Sequence, residues 1–208
     1  MALFLKQQFD TCLLGIWQMD EKIEVLQEML HDTTYYEEAC SRFTSEHRRC
    51  EWLSVRVLLH ELLGRHEQIA YLPSGRPYLP DSSWHISISH TKGYVAVLLG
   101  KSMVGLDIEQ YGERVQRVAH KFMRSDEEAN LYKGGTTWSL LLHWSAKEVM
   151  FKCLNASEVD FRTHLFIHPF QLKEAGSFTA QEMKTACHCL YCIRYQIFPD
   201  FVLTWTTL

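Results

Sequence analysis

The chain has 208 residues, 47% of them hydrophobic, enough for one large domain or two small ones with a real core. Its formal net charge of −4 disfavours a general nucleic-acid binder, so an anionic ligand must be held by a local basic cluster. There is no run of 18 apolar residues, so neither a membrane span nor a secretory leader is expected, and seven cysteines set mostly in apolar patterns point to reduced thiols in a cytoplasmic protein with no membrane partner.

Residues 1 to 17 alternate weakly between apolar and polar and predict one or two strands. Ile23, Leu26, Met29 and Leu30 recur at helical spacing, which predicts a helix from Met19 to Leu30 with Asp20 as its cap. Thr33 to Gly64 predicts one long helix or two. Phe43, Trp52, Val55, Leu58, Leu59, Leu62 and Leu63 form the buried stripe, and Gly64 ends it. Arg42, His47, Arg48, Arg49 and Arg56 lie in this region, where a solvated helix face is the ordinary explanation for such a cluster. Ser74-Gly-Arg-Pro77 is a turn. His85–Ser89 and Tyr94–Leu99, joined at Thr91-Lys-Gly93, form a predicted hairpin. Ser89 and His90 then fall at a strand end, either capping the turn or offered to phosphate oxygens with Arg76 close by.

Val104-Gly-Leu-Asp-Ile-Glu109 is a strand in which Leu106 and Ile108 enter the core and Asp107 and Glu109 share the other face. Two carboxylates roughly 7 Å apart on one strand face repel unless a cation lies near, and a hard divalent ion such as Mg2+ is one resolution. Two solvated acids on a strand edge are the other. Arg114–Phe122 is predicted helical, and Ser125-Asp-Glu-Glu128 has the form of a capped helix start. Gly134-Gly135 breaks the chain before a strongly apolar helix, Thr137–Leu154. On it Trp144, Glu148 and Lys152 line one side at i, i+4 and i+8. Glu148 and Lys152 are either an exposed ion pair or, because charge on a mostly buried helix is costly, groups in use. The tail from Phe161 to Leu208 alternates as antiparallel strands do. Each half therefore appears as helix material followed by strands, an α+β chain.

Gly75-Arg-Pro77, Ser89-His90, Gly105-Leu-Asp-Ile-Glu109 and Trp144-Ser-Ala-Lys-Glu148 with Lys152 occur in that order. Together they resemble the 4'-phosphopantetheinyl transferase superfamily, specifically its monomeric, two-lobed, surfactin-synthetase-activating type. The resemblance spans roughly residues 40 to 155, with Ser87 standing where many members carry Asn. It implies two similar α/β lobes with a pseudo-two-fold relation, residues 1–101 binding coenzyme A and residues 102–208 carrying metal and catalytic groups, with the active site in the cleft between them. It also implies Mg2+-dependent transfer of the 4'-phosphopantetheine arm from coenzyme A to a serine of an apo acyl or peptidyl carrier protein, releasing 3',5'-ADP. In that scheme Asp107, Glu109 and Glu148 hold Mg2+. Glu148 takes the serine proton, directly or through a metal-bound water, and Lys152 neutralises phosphate charge and assists the departing 3',5'-ADP. Ser89 and His90 grip phosphates, Arg76 lies beside the adenine and its phosphates, and Arg49 or Arg56 supplements them.

The residues suit that chemistry independently, since a neutral hydroxyl attacking a pyrophosphate needs a base, charge screening and a cation for the leaving group. Two rivals remain: another Mg2+-dependent nucleotide phosphotransferase, and a non-catalytic module binding coenzyme A or a carrier. Cys187-His-Cys189 with Cys192 does not have the spacing of a zinc site, and strand alternation accounts for it. His164 and His168 fall in a surface loop. Gly134-Gly135 lacks the lysine and hydroxyl of a phosphate-binding loop. Acidic carriers would be steered by Arg114, Arg117, His120, Lys121 and Arg124.

Overall fold

A strand pairs where its alternation or continuous burial can be satisfied on both sides, and the computed structural model shows where each segment finds that partner. It describes residues 2–31, 33–154 and 156–208, with the side chains of residues 33–35 and 37 excepted. The chain divides into two units, Met1–Ser102 and Met103–Leu208. Each has its own apolar core.

The first unit opens with a hairpin, β1 (Leu3–Phe9) and β2 (Cys12–Gln18), followed by α1 (Ile23–Leu30), α2 (Thr33–Ser41) and α3 (Glu46–Leu63). A small ribbon, β3 (Ala70–Tyr71) with β4 (Pro77–Tyr78), precedes a second hairpin, β5 (His85–Thr91) and β6 (Tyr94–Gly100). The four long strands form an antiparallel sheet ordered β1-β2-β6-β5. The two central strands are buried almost throughout, which is why they lack alternation. A Cβ added at Gly15 would sit 2.7 Å from Leu58 Cδ1, so the bare backbone there lets α3 lie close on β2. Gly64, at φ 66°, closes α3 in the left-handed region that glycine adopts freely.

The second unit begins with β7 (Val104–Gln110) and α4 (Arg114–Val118), the latter extended by one 3-10 turn over Ala119–Lys121. Then come α5 (Thr137–Cys153), α6 (Phe161–His164), β8 (Leu165–Ile167), β9 (Ala175–Glu182), β10 (Leu190–Ile197) and β11 (Phe201–Thr207). The sheet runs β7-β11-β10-β9-β8, antiparallel throughout, leaving β7 on an edge. On β10, Tyr191, Ile193, Tyr195 and Ile197 point inward while Leu190, Cys192 and Arg194 point out, a period-two pattern read directly from the sequence. The architecture is α+β. No helix among the described residues is long and apolar enough to cross a membrane.

Several expectations need correction. The first helix starts at Ile23 with Lys22 as its uncapped N-terminal residue, not under an Asp20 cap. Both units begin with strand, not helix. No helix starts at Ser125. Glu127 is instead drawn inward, where its carboxylate accepts Ile167 N at 2.7 Å, Arg124 N at 2.9 Å and Lys147 Nζ at 2.8 Å. Cys187, His188 and Cys189 lie in the turn before β10, so strand alternation accounts for Cys192 alone. His164 belongs to α6, its Nδ1 accepting Asp160 N at 2.9 Å.

Lys147 is fully buried; it donates to Phe122 O at 2.6 Å as well as to Glu127, while burial pulls its pKa down. Breaking a buried, hydrogen-bonded ion pair costs about 3–5 kcal/mol because the surviving charge has no partner. Lys147→Met should lower unfolding free energy by about 3 kcal/mol in a urea titration. A loss below about 1 kcal/mol, the range of surface pairs, would show that Glu127 does not depend on it.

Candidate active site

β7 and α5 meet at a glycine. A Cβ on Gly105 would lie 2.7 Å from Val149 O and 2.7 Å from Cys153 Sγ, so only hydrogen permits the helix to approach the strand this closely. That contact buries 13 of the 17 residues of α5 and leaves Trp144, Glu148, Phe151 and Lys152 uncovered or partly so. They fall at i, i+4, i+7 and i+8, a single stripe.

Asp107 lies mid-strand opposite Thr204 of β11, 4% exposed. Ser145 Oγ donates to its Oδ2 at 2.8 Å, and because that hydroxyl has one proton, Thr204 Oγ1 donates in turn to Ser145 Oγ at 2.7 Å. Lys152 Nζ donates to Asp107 Oδ1 at 2.9 Å and to Leu106 O at 2.7 Å. Trp144 Nε1 donates to Glu109 Oε1 at 2.7 Å, its indole held between Phe122 and Phe161 with ring centroids 5.4 Å away on each side. Glu148 accepts no hydrogen bond from the described residues; it meets Asp107 and Lys152 through charge.

The electrostatic result is a surplus of negative charge. Burial first, then Asp107, raises the Glu148 carboxyl from 4.5 to about 7, with Lys152 opposing. Burial, Asp107 and Glu148 raise Glu109 from 4.5 to about 7 against the Trp144 bond and Lys152. Among the described residues no three acid, histidine or cysteine side chains converge on one ligating point in this arrangement. Both Asp107 oxygens and one Glu109 oxygen are engaged by Ser145, Lys152 and Trp144.

The other expected residues lie in the first unit. The strand runs on to Thr91, so Ser89 is buried at 8% exposure within β5 and His90 is exposed beside it. His90 Nδ1 is 3.2 Å from Glu51 Oε1 on α3. Glu51 also pairs with Arg48 Nη1 at 2.8 Å and His47 Nε2 at 3.1 Å. Arg49 is half-buried, and its Nε is buried with no hydrogen-bond partner among the described residues. Arg56 is buried, its guanidinium 3.4 Å over the Trp52 ring and donating to Trp52 O at 2.9 Å. Arg76 sits half-buried in the turn closed by Leu72 N to its carbonyl at 2.9 Å, with Gly75 at φ 85°.

Sequence reasoning missed Glu51, Ser145, Thr204 and the Glu127–Lys147 pair. Glu51 was findable from His47-x-x-x-Glu51, an i, i+4 pair on a helix. Lys147 was findable as a charge among apolar residues. Thr204 had no signal, because strand register alone brings it to Asp107.

Residues 103–206, half of the chain, match the family model of the 4'-phosphopantetheinyl transferase superfamily, and the chain belongs to that superfamily. Transfer of phosphopantetheine, with coenzyme A as substrate, is the activity of that superfamily. No curated protein matches the chain.

The raised carboxyls predict a pH dependence. Between 4.5 and about 7 the folded chain keeps protons on Glu109 and Glu148 that the unfolded chain has released. Stability is therefore highest below that window and falls as pH rises through it. With no charge to desolvate at this position, Glu148→Gln should exceed the parent by about 1–3 kcal/mol near pH 8 in metal-free urea melts, and the gap should close near pH 4.5. A gap independent of pH would contradict the raised carboxyl.

Proposed function

We propose that this chain moves the 4'-phosphopantetheine arm of coenzyme A onto a serine hydroxyl of an apo acyl or peptidyl carrier protein, with 3',5'-ADP as the other product. The observation that carries this reading is the gathering of Asp107, Glu109, Glu148 and Lys152 between β7 and the uncovered stripe of α5. The residues present fit a hard divalent cation by donor type and by charge, since three carboxylates face one lysine and two of them are pushed toward neutrality. Asp107, Glu109 and Glu148 would hold Mg2+. The ion would supply positive charge to the pyrophosphate oxygens.

In this reaction the serine oxygen forms a bond to the phosphorus bearing the pantetheine arm while the bond from that phosphorus to the bridging oxygen of 3',5'-ADP breaks. Glu148 is the base that takes the serine proton; a carboxyl near 7 is half ionised close to neutrality, where a base is most effective. Lys152, already donating to Asp107, neutralises charge on the departing oxygen. Trp144 fixes Glu109, and Ser145 with Thr204 fixes Asp107.

Residues 1–101 are proposed to hold coenzyme A and residues 102–208 to perform the transfer, in a monomer. Arg49 is supported as a phosphate contact by its buried, unpartnered Nε. Glu51 orients His90 and Arg48 toward the same duty, with Ser89 and Arg76 contributing. Arg56 is assigned a supporting role, because its guanidinium is committed to Trp52. The exposed Arg114, Arg117, His120 and Lys121 are proposed to steer an acidic carrier.

The test is intact-mass analysis of an apo carrier incubated with coenzyme A, Mg2+ and this protein. A gain of one phosphopantetheine arm that EDTA abolishes is expected. Glu148→Gln should lower the transfer rate by about 10²–10⁴-fold, the usual contribution of a positioned base, and full activity in that variant would remove the assignment. Coenzyme A binding without transfer across several carriers would favour a binding module, and turnover of coenzyme A without any carrier would favour another phosphotransferase. Arg117→Glu with Lys121→Glu should raise the carrier KM several-fold and leave the KM for coenzyme A unchanged.

Asp107→Ala should cost more than activity. It leaves buried Ser145 without its carboxylate acceptor and part-buried Lys152 with Leu106 O alone, so a stability loss of about 2–4 kcal/mol is expected alongside inactivation. Urea titration of that variant checks it.

A further inference from the structure

The turn between β9 and β10 presents two exposed cysteines, Cys187 and Cys189, and is held by a buried acid. Glu182, on β9, accepts Lys184 N and Thr185 N at 2.8 Å on Oε2, and Thr185 Oγ1 at 2.5 Å and Cys189 N at 2.9 Å on Oε1. Cys187 N adds a bond to Thr185 Oγ1 at 3.3 Å, and Gln181 Nε2 donates to His188 O at 3.1 Å. His188 adopts φ 47°, curling the chain between Cys187 and Cys189. The adjacent Cys187 thiol, chiefly as a hydrogen-bonding neighbour, holds the Cys189 thiol above its ordinary value. Both are exposed and unbridged, whereas Cys12, Cys40 and Cys153 are buried. Cys192 also faces solvent, but from within β10, where Thr179 is its register partner.

No three ligating side chains gather here for a metal among the described residues. What the turn does supply is two exposed, unbridged thiols two residues apart across the left-handed His188, in a frame held by backbone and Glu182 hydrogen bonds. We propose that Cys187 and Cys189 form a redox-sensitive dithiol that closes to a disulfide by exchange with a low-molecular-weight disulfide. The Cys187 thiolate attacks one sulfur of that disulfide, giving a mixed disulfide and releasing one small thiolate, which takes up a proton. Cys189 then attacks the Cys187 sulfur and expels the second small thiol. The two cysteines lose two electrons and two protons, and the small disulfide gains them. Cys189, two residues on across the turn, is the resolving thiol.

The experiment uses the full chain, reduced, then incubated with glutathione disulfide at mildly alkaline pH and alkylated before peptide mapping. The expected result is loss of both alkylation sites at 187 and 189, with a mass lower by two hydrogens, reversed by dithiothreitol. Cys189→Ser should instead accumulate one glutathione on Cys187, and Cys192→Ser should close as the parent does. The proposal is overturned if both thiols stay alkylatable after such oxidation, if each carries glutathione without closure, or if the bridge forms to Cys192.

Discussion

How near α5 can lie to β7 decides what the second unit is able to do. Gly105 sets that distance, since any side chain there would meet Val149 O and Cys153 Sγ. The Glu127–Lys147 pair holds the opposite side of the helix, tying it to Phe122 O and, through Glu127, to the backbone of Arg124 and Ile167. With the helix fixed on both sides, four residues remain uncovered, and three of them, Trp144, Glu148 and Lys152, face the acids of β7. A helix free to shift by a fraction of a turn would lose the indole–carboxylate and lysine–carboxylate bonds together.

The same closeness creates the charge imbalance. Asp107 is satisfied from two directions by Ser145 and Lys152, so the burden falls on Glu109 and Glu148, both raised to about 7. A protein selected only for stability would not place three carboxylates beside one lysine. Strained titratable groups of this kind cluster where chemistry is done, because a poised carboxyl is useful as a base and receptive to a cation. The hydroxyl chain from Thr204 through Ser145 keeps Asp107 oriented.

The first unit follows a related plan with different chemistry. Gly15 lets α3 close on β2, and Glu51 on α3 then collects His47, Arg48 and His90. One carboxylate thus gathers an arginine and two histidines at one place on the helix and its neighbouring strand. The buried Nε of Arg49 on the same helix adds a donor that none of the described residues satisfies.

Much of this was legible in the chain. The alternation of β10, the Lys92-Gly93 hairpin turn, the helix stop at Gly64 and the shared faces of Asp107 with Glu109 and of Trp144 with Glu148 and Lys152 follow from fixed periodicities of two and 3.6 residues. Local geometry carried those statements, so sequence sufficed. It failed where a capping pattern competed with burial: Ser125–Glu128 looked like a helix start, but Glu127 gains more from Lys147 and two backbone donors than from a cap. It failed again in ending β5 before His90, because pairing with β6 extends the strand to Thr91. By itself the sequence determined most of the elements, the acidic strand face and the stripe of Trp144, Glu148 and Lys152 on α5. Only the tertiary structure decided that Lys152 rests on Asp107, that Trp144 holds Glu109 and that Thr204 completes the chain to Asp107, because those pairings join residues 35 to 59 positions apart and depend on how closely a helix and an edge strand can pack.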